Sequence, residues 1–402
     1  MADKNIVVLA FSGGLDTSYC VKYLKHDLGL EVHSVLVNTG GFSSEELLAI
    51  ENHAYNLGVA KHQTLDVVDR FYEKAIKYLI YGNVLKNNTY PLSVSAERVF
   101  QAMAIAEYAQ QVDAPFIAHG STGAGNDQVR FDIVFNILAP QAEIITPIRD
   151  QQLSRQDEIA YLKSHGVEVN WQKARYSINK GLWGTSVGGV ETLNSKDKLP
   201  EEAFPSPLKA FDQREITVEF KKGEIVGLNG ESLEPVIAIQ KLQELASVYA
   251  IGRDVHVGDT IIGIKGRVGF EAAAPLILIK AHHLLEKHTL TKWQQHWKEQ
   301  LASWYGMMMH EGQYLDPVMR NIEKFIEDTQ THVSGTVFVT LAPYQFQVTG
   351  IESDHDLMNP EYGHYGEMNN GWTGDDVKGF TKILANQTKI YHEVNKGKEV
   401  LV

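Results

Sequence analysis

Short β-branched apolar runs alternate with amphipathic stretches through the first 165 residues. Residues 6–10, 32–37, 116–118 and 143–145 have strand character, whereas 17–26, 44–57, 69–81 and 95–111 repeat their apolar positions at helical spacing. Apolar strands separated by helices predict a parallel sheet covered on both faces. Gly29 and Gly58 stop two of the helices, and Ser43 or Ser44 caps another. Pro147, then Ser154 with Glu158 nearby, opens a helix that ends before Gly166.

The rhythm changes from about Trp171. Glycines cluster over residues 181–189, and 194–207 is a polar, proline-bearing connection. Strands at 217–220 and 224–228 form a hairpin across Lys221, Lys222 and Gly223, a helix follows at 234–249, and strands at 336–341 and 345–348 pair around Ala342 and Pro343. Val377, Phe380, Leu384, Tyr391 and Val394 give 375–394 a helical apolar stripe, of the kind that docks on a core or on another subunit. The expected organisation is therefore an α/β domain over 1–168 built on a parallel nucleotide-binding sheet, an α+β domain over 169–363, and a C-terminal helix over 364–402.

Composition narrows the classes. With 402 residues, 44% of them hydrophobic, the chain exceeds one typical core. A net charge of −13 argues against broad nucleic-acid or anionic-membrane binding, while leaving room for a local basic cleft. Cys20 is the one cysteine, so neither a disulfide framework nor a thiolate metal cluster can form. The apolar run 6–11 is too short to span a bilayer and lacks a small-residue cleavage site, and it reads as the first buried strand of a cytoplasmic protein.

That strand leads into Ser12, Gly13, Gly14, Leu15, Asp16, Thr17 and Ser18. A strand turning sharply into a helix leaves backbone N–H groups unpaired. Adjacent glycines permit positive φ and close approach of an anion, and hydroxyls at Ser12, Thr17 and Ser18 add donors beside the positive end of the helix dipole. Asp16 inside an anion cradle implies a divalent cation between it and the phosphates, for which Mg2+ is the economical assumption. The loop is not a Walker A motif, lacking Lys-Ser/Thr after the glycines, and it lacks the dinucleotide fingerprint.

A second loop, 119–130, follows a short strand and combines three glycines with Thr122, Asn126, Asp127 and Arg130. Thr122 and backbone amides can take phosphate or carboxylate oxygens, Asn126 can donate and accept, Asp127 can hold an ammonium, and Arg130 can grip a carboxylate or a ureido oxygen. An amino-acid substrate needs such mixed polarity; a polar surface loop capped at Asn126 and Asp127 is the alternative.

The first loop resembles the pyrophosphatase loop of enzymes that split ATP into AMP and pyrophosphate, with a fold like the adenine nucleotide alpha hydrolases. Within that group, residues 119–131, Tyr90 with Ser95, residues 177–182, and Gly252 with Arg253 resemble argininosuccinate synthase, colinearly from residue 6 to about 395. The resemblance implies an ATP-dependent C–N ligase of arginine biosynthesis that joins aspartate to citrulline through an adenylate, and a homotetramer. It implies that Ala10, Phe11, Ser12, Gly13, Gly14, Leu15, Asp16, Thr17, Ser18, Val37, Ala118, His119 and Gly120 line the ATP site. Thr122, Asn126 and Asp127 would hold aspartate; Tyr90, Ser95, Asn126, Arg130, Ser177 and Ser186 would hold citrulline. Asp16, Asp127 and Arg130 are the catalytic candidates. Without the resemblance, Tyr90 reads equally as a loop aromatic, Ser95 as an N-cap, and Ser177 and Ser186 as turn serines. Arg98, one turn beyond Ser95, reads as a substrate group or a surface ion pair. The general base for the aspartate amine stays unassigned, with Asp127 or a phosphate oxygen as candidates.

The chain also departs from the family pattern. Ala124 stands where a lysine is usual; Asn179, Gly188 and Gly258 replace acidic residues; Phe270 replaces a tyrosine. The resemblance places the residues at 258 and 270 near the α-amino end of citrulline. Lost carboxylates around an ammonium pocket point to an N-acylated citrulline as substrate, unless Asp254, Asp259 or Glu271 supplies the charge instead. His282, His283, Glu286 and His288 miss the spaced zinc patterns and read as a surface or interface helix. Met307–Met309 and Trp293, Trp297 and Trp304 read as packing between helices. A pyrophosphatase-loop enzyme of tRNA modification is the rival class; the single cysteine and the acidic charge weigh against it.

Overall fold

The computed structural model describes residues 5–167, 175–358, 361, 363–367 and 371–396. The change of rhythm expected at Trp171 and the domain boundary expected at 168/169 lie outside the described residues. Met1–His355 forms one compact unit and Asp356–Val402 a second.

In the first unit, β1 (Ile6–Ala10), β2 (Glu31–Asn38), β3 (Lys61–Asp66), β4 (Phe116–Ala118) and β5 (Glu143–Ile145) form a parallel sheet in the order β3-β2-β1-β4-β5. Strand alternation assigns the two faces of β1. Val7 and Leu9 pack with Cys20, Val21 and Leu24 of the Leu15–His26 helix, while Val8 joins Phe100 and Ile105 of the Ser93–Gln111 helix on the other side. Strand order runs outward in opposite directions from β1 and β4, so the loops after these neighbours diverge and leave a crevice at their carboxyl ends.

Two antiparallel sheets follow. The strands β6 (Ser177–Gly181), β7 (Gly184–Gly188), β8 (Arg214–Lys221), β9 (Glu224–Leu228), β10 (Glu231–Ser232), β11 (Arg253–Asp259), β12 (Lys265–Glu271), β13 (Gly335–Ala342) and β14 (Gln345–Glu352) sort into β10-β9-β8-β13-β14 and β11-β12-β7-β6. One hydrophobic core runs from Val8 and Val35 of the parallel sheet through Trp183, Leu278 and Tyr305 to Val337 and Leu341.

The structure differs from the sequence expectation in several places. β3 was not expected: its sequence, KHQTLD, is polar, because an edge strand buries little of its surface. The glycine cluster at 181–189 is the β6–β7 hairpin rather than loop, turning between Gly181 and Gly184. The helix expected at 69–81 is Val68–Phe71, a π-helical turn Tyr72–Ile76, then Lys77–Tyr81. His282 and Glu286 are fully buried rather than on a surface helix. His282 bonds Asn83 Oδ1 and Gln330 through its two ring nitrogens, and Glu286 pairs with buried Lys298. Trp293, Trp297 and Trp304 are each more than half exposed, not packed between helices.

In the second unit the C-terminal stripe is divided at Ala385 into Gly374–Leu384, capped by the Thr373 side chain, and Asn386–Val394; neither has a buried residue. Among the described residues no helix is long and apolar enough to cross a membrane.

Candidate active site

The crevice opens into a cleft of about 1240 Å³ walled by the loops after β1 and β4, the start of the Ser93–Gln111 helix, and the β11-β12-β7-β6 sheet. Its floor begins where Phe11 N–H still bonds Val35 O and the chain then leaves the sheet. Gly13 adopts φ +77° to make the turn. The first bond into the new helix runs from Ser18 N–H to Gly14 O, which leaves the amides of Leu15, Asp16 and Thr17 without intrahelical acceptors.

Ala10, Phe11, Ser12, Gly14, Leu15, Asp16, Thr17 and Val37 line the cleft; Gly13, Ser18 and Ala118 stand behind its wall. Ser18 is buried, its hydroxyl donating to Gly14 O at 2.7 Å and lying 2.9 Å from His53 Nε2, so it braces the turn rather than offering a phosphate donor. Gly120 packs against Asp16: a Cβ there would stand 3.3 Å from the Asp16 backbone carbon, a tight contact that brings the second loop close against the first. His119 accepts Ser121 N–H at Nδ1 and donates from Nε2 to Asp132, which Arg149 also holds. That buried ring fixes the start of the second loop. Glu158 of the Arg155–Ser164 helix is buried near Asp16; burial, and then the Asp16 carboxylate, push the Glu158 carboxyl up to about 8.

Across the cleft lies a charged cluster. Asp127 opens the Asp127–Leu138 helix, accepts Arg98 Nε at 3.0 Å and accepts Arg130 Nη1 at 3.0 Å. Burial opposes its charge, but the two guanidiniums outweigh burial and hold the carboxyl below the usual range. Asp127 is thereby a poorer proton acceptor than an ordinary carboxylate, and it fixes the two arginines. Arg130 is buried and also donates from Nε to His310 O. Arg98 is no surface ion pair: only 15% of its side chain is exposed, and it reaches Gln101 and Asn179 besides Asp127.

Asn179 connects this cluster to the β6–β7 hairpin, donating to Ser186 Oγ at 3.4 Å. Ser177, Ser186, Thr122 and Asn126 line the same cleft, Asn126 accepting Ile261 N–H at Oδ1. Ser95 also lines it and is not an N-cap: the helix begins at Ser93, and the Tyr90 hydroxyl accepts Val94 N–H there. Tyr90 stacks on His256 with ring centroids 5.2 Å apart. His256 and His310 were not singled out from sequence; each is buried yet lines the cleft, placed by contacts far along the chain.

Residues 6–168 match the family model described as "Arginosuccinate synthase N-terminal HUP domain", and 176–391 match "Arginosuccinate synthase C-terminal domain". Similar curated proteins include "Argininosuccinate synthase" of Methanocaldococcus jannaschii, 37% identical over 98% of this chain and 100% of its own length. Those of Pyrococcus furiosus, 36% identical over 97% and 95%, and of Xanthomonas campestris pv. campestris, 36% over 98% and 100%, bear the same name. With both family models matched in order from residue 6 to residue 391, the chain belongs to the argininosuccinate synthase family.

Proposed function

We propose that this protein is an argininosuccinate synthase, joining the amino group of L-aspartate to the ureido carbon of citrulline at the expense of ATP, a step of arginine biosynthesis. A ureido carbonyl does not exchange its oxygen for an amine unaided, because the leaving group is poor. In this reading the ureido oxygen attacks the α-phosphorus, the bond to the β-phosphate oxygen breaks and pyrophosphate leaves. The aspartate amine then attacks the activated carbon, the C–O bond breaks, AMP departs with the former ureido oxygen, and the amine proton is released.

The observation that carries the reading is the placement of two glycine-bearing loops at the adjacent carboxyl ends of β1 and β4, facing the Arg98–Asp127–Arg130 cluster across one cleft. The unbonded first-turn amides and the Ser12 and Thr17 hydroxyls suit phosphates. Arg130 and Arg98, fixed by Asp127, suit a ureido oxygen and carboxylates that must be held in one orientation. Thr122 and Asn126 are the aspartate ligands in this reading, and Tyr90, Ser95, Ser177 and Ser186 the ureido-substrate ligands. Mg2+ takes oxygen ligands from a carboxylate or two together with substrate phosphates, and Asp16, the carboxylate of the first loop that lines the cleft, is the residue that would hold it. Bound there, the cation would neutralise charge on the departing pyrophosphate.

The reading extends to a cytoplasmic homotetramer, for which the exposed Phe380, Ile383, Leu384 and Tyr391 offer apolar surface. Incubation with ATP, Mg2+, aspartate and citrulline should yield AMP and pyrophosphate in equal amounts. Appearance of ADP and phosphate, or AMP formation independent of aspartate and any ureido compound, would overturn it.

A further inference from the structure

The end of the cleft beneath β11 and β12 is built against a positive charge. On β11, His256 and Gly258 occupy one face, since alternate strand residues share a side, and both line the cleft. His256 lies over Gly258: a Cβ at 258 would fall 2.6 Å from His256 Nε2. His310 forms the neighbouring wall. Both imidazoles are 94% buried, and the Nδ1 of each has no hydrogen-bond partner among the described residues.

Every cleft-lining carboxylate described at this end is already paired, and Glu311, whose charge acts on Lys86, does not line the cleft. Asp127 lies between Arg98 and Arg130. Asp259 pairs with Lys265 at 2.6 Å on the exposed edge. Glu271 is buried against Arg253 and does not line the cleft, and Asp254, exposed on the same face of β11 as His256, does not line it either. Cations, by contrast, are in surplus. Arg267 lines the cleft, and its guanidinium donates, among the described residues, to the backbone carbonyls of Glu191 and Asn194 alone; its register partner is Val257, on the face of β11 away from His256. Lys86, close enough to His256 and His310 to lower their proton affinity, makes no ion pair among the described residues. An ammonium placed here would be desolvated beside guanidiniums with no counter-ion, whereas an amide would find imidazole and tyrosine partners.

We infer that the ureido substrate of this enzyme carries an acylated α-amino group, held between His256, His310 and Tyr90, in place of a free ammonium. The inference rests on the ligase reading above and specifies its substrate. The shared chemistry is a neutral Nα-amide. An acyl group bearing its own carboxylate would also meet Lys86, while a simple acetyl would not.

The experiment measures AMP and pyrophosphate release by the full chain with Mg-ATP, aspartate and, separately, L-citrulline, Nα-acetyl-L-citrulline and Nα-succinyl-L-citrulline. At least about tenfold higher kcat/KM for an acylated substrate than for citrulline is expected, because an unpaired buried charge separates the two. Preference for succinyl over acetyl that disappears in Lys86→Met assigns the distal carboxylate; equal rates assign the amide alone. Free citrulline turned over as well or better overturns this inference and leaves the ligase reading intact. Turnover of none of the three overturns the ligase reading, and the inference with it. In Gly258→Glu, which returns a carboxylate to the His256 face, the preference should shift towards free citrulline. Calorimetric binding of the three compounds in the presence of a non-hydrolysable ATP analogue gives the same ranking without turnover, and a ranking led by free citrulline overturns the inference.

Discussion

Asp127→Asn is the most informative single change, because it keeps the shape and removes the charge that two buried guanidiniums share. Each loses a charge-assisted bond of 3.0 Å. Such bonds contribute roughly 1.5–3 kcal/mol apiece. The asparagine retains one acceptor oxygen, so one arginine keeps a weaker neutral bond while the other faces an N–H group. Because 41% of the Asp127 side chain is exposed to the cleft, water screens part of the loss, and about 1–3 kcal/mol of folding stability is the discounted expectation. The kinetic effect should be larger. Arg130 and Arg98 lose their common anchor where orientation of the ureido oxygen matters, and about 3 kcal/mol of transition-state stabilisation corresponds to roughly a hundredfold in kcat/KM. Urea unfolding and pyrophosphate release, measured on the same preparations, separate the two effects. Unchanged kcat/KM for the ureido substrate would refute the assignment of Asp127 as the residue that positions both arginines, whatever the change in stability.

Three further outcomes are expected. Asp16→Ala should abolish formation of AMP and pyrophosphate while the fold, followed by circular dichroism, persists; unchanged turnover would remove Asp16 from the mechanism. Glu158, raised to about 8 in the folded chain against an ordinary value of roughly 4.3, lets the folded state bind the extra proton between those values. Its contribution is therefore fully present below about pH 4 and lost as pH rises through about 8, so Glu158→Gln should flatten the fall in urea midpoint between pH 5 and 8, and an identical pH profile would count against the raised Glu158 carboxyl. Glu286→Gln strands Lys298, 1% exposed, in the core and should cost ~3–5 kcal/mol by urea unfolding, with KM values unaltered because neither residue lines the cleft; an unchanged urea midpoint would count against the buried pair.

The parts legible in the sequence were those whose chemistry is local. The phosphate loop could be read because an apolar strand, two glycines and a hydroxyl-rich helix start are contiguous from Ile6 to Ser18. The parallel sheet was largely visible because its inner strands are buried on both faces and so are rich in apolar residues; polar β3, at the edge, was not. The anchored arginines were only half visible. Arg98 acquires its meaning from Asp127 and Asn179, 29 and 81 residues away, and spacing within its own helix cannot distinguish that from a solvated ion pair. The Ser18 hydroxyl looked like a phosphate donor because a sequence shows the donor and not the Gly14 carbonyl that takes it. His256 and His310 had no signal of their own, since a lone histidine becomes informative only when the fold buries it beside a ligand cleft without a partner.

The central claim is that the ureido oxygen is transferred to phosphorus within this cleft. Its most direct test supplies a ureido substrate labelled with oxygen-18 in the ureido carbonyl, together with ATP, Mg2+ and aspartate, and analyses the products by mass spectrometry. The account predicts one labelled oxygen in the phosphate of AMP and none in pyrophosphate. Label recovered in pyrophosphate or inorganic phosphate, with unlabelled AMP, would contradict it.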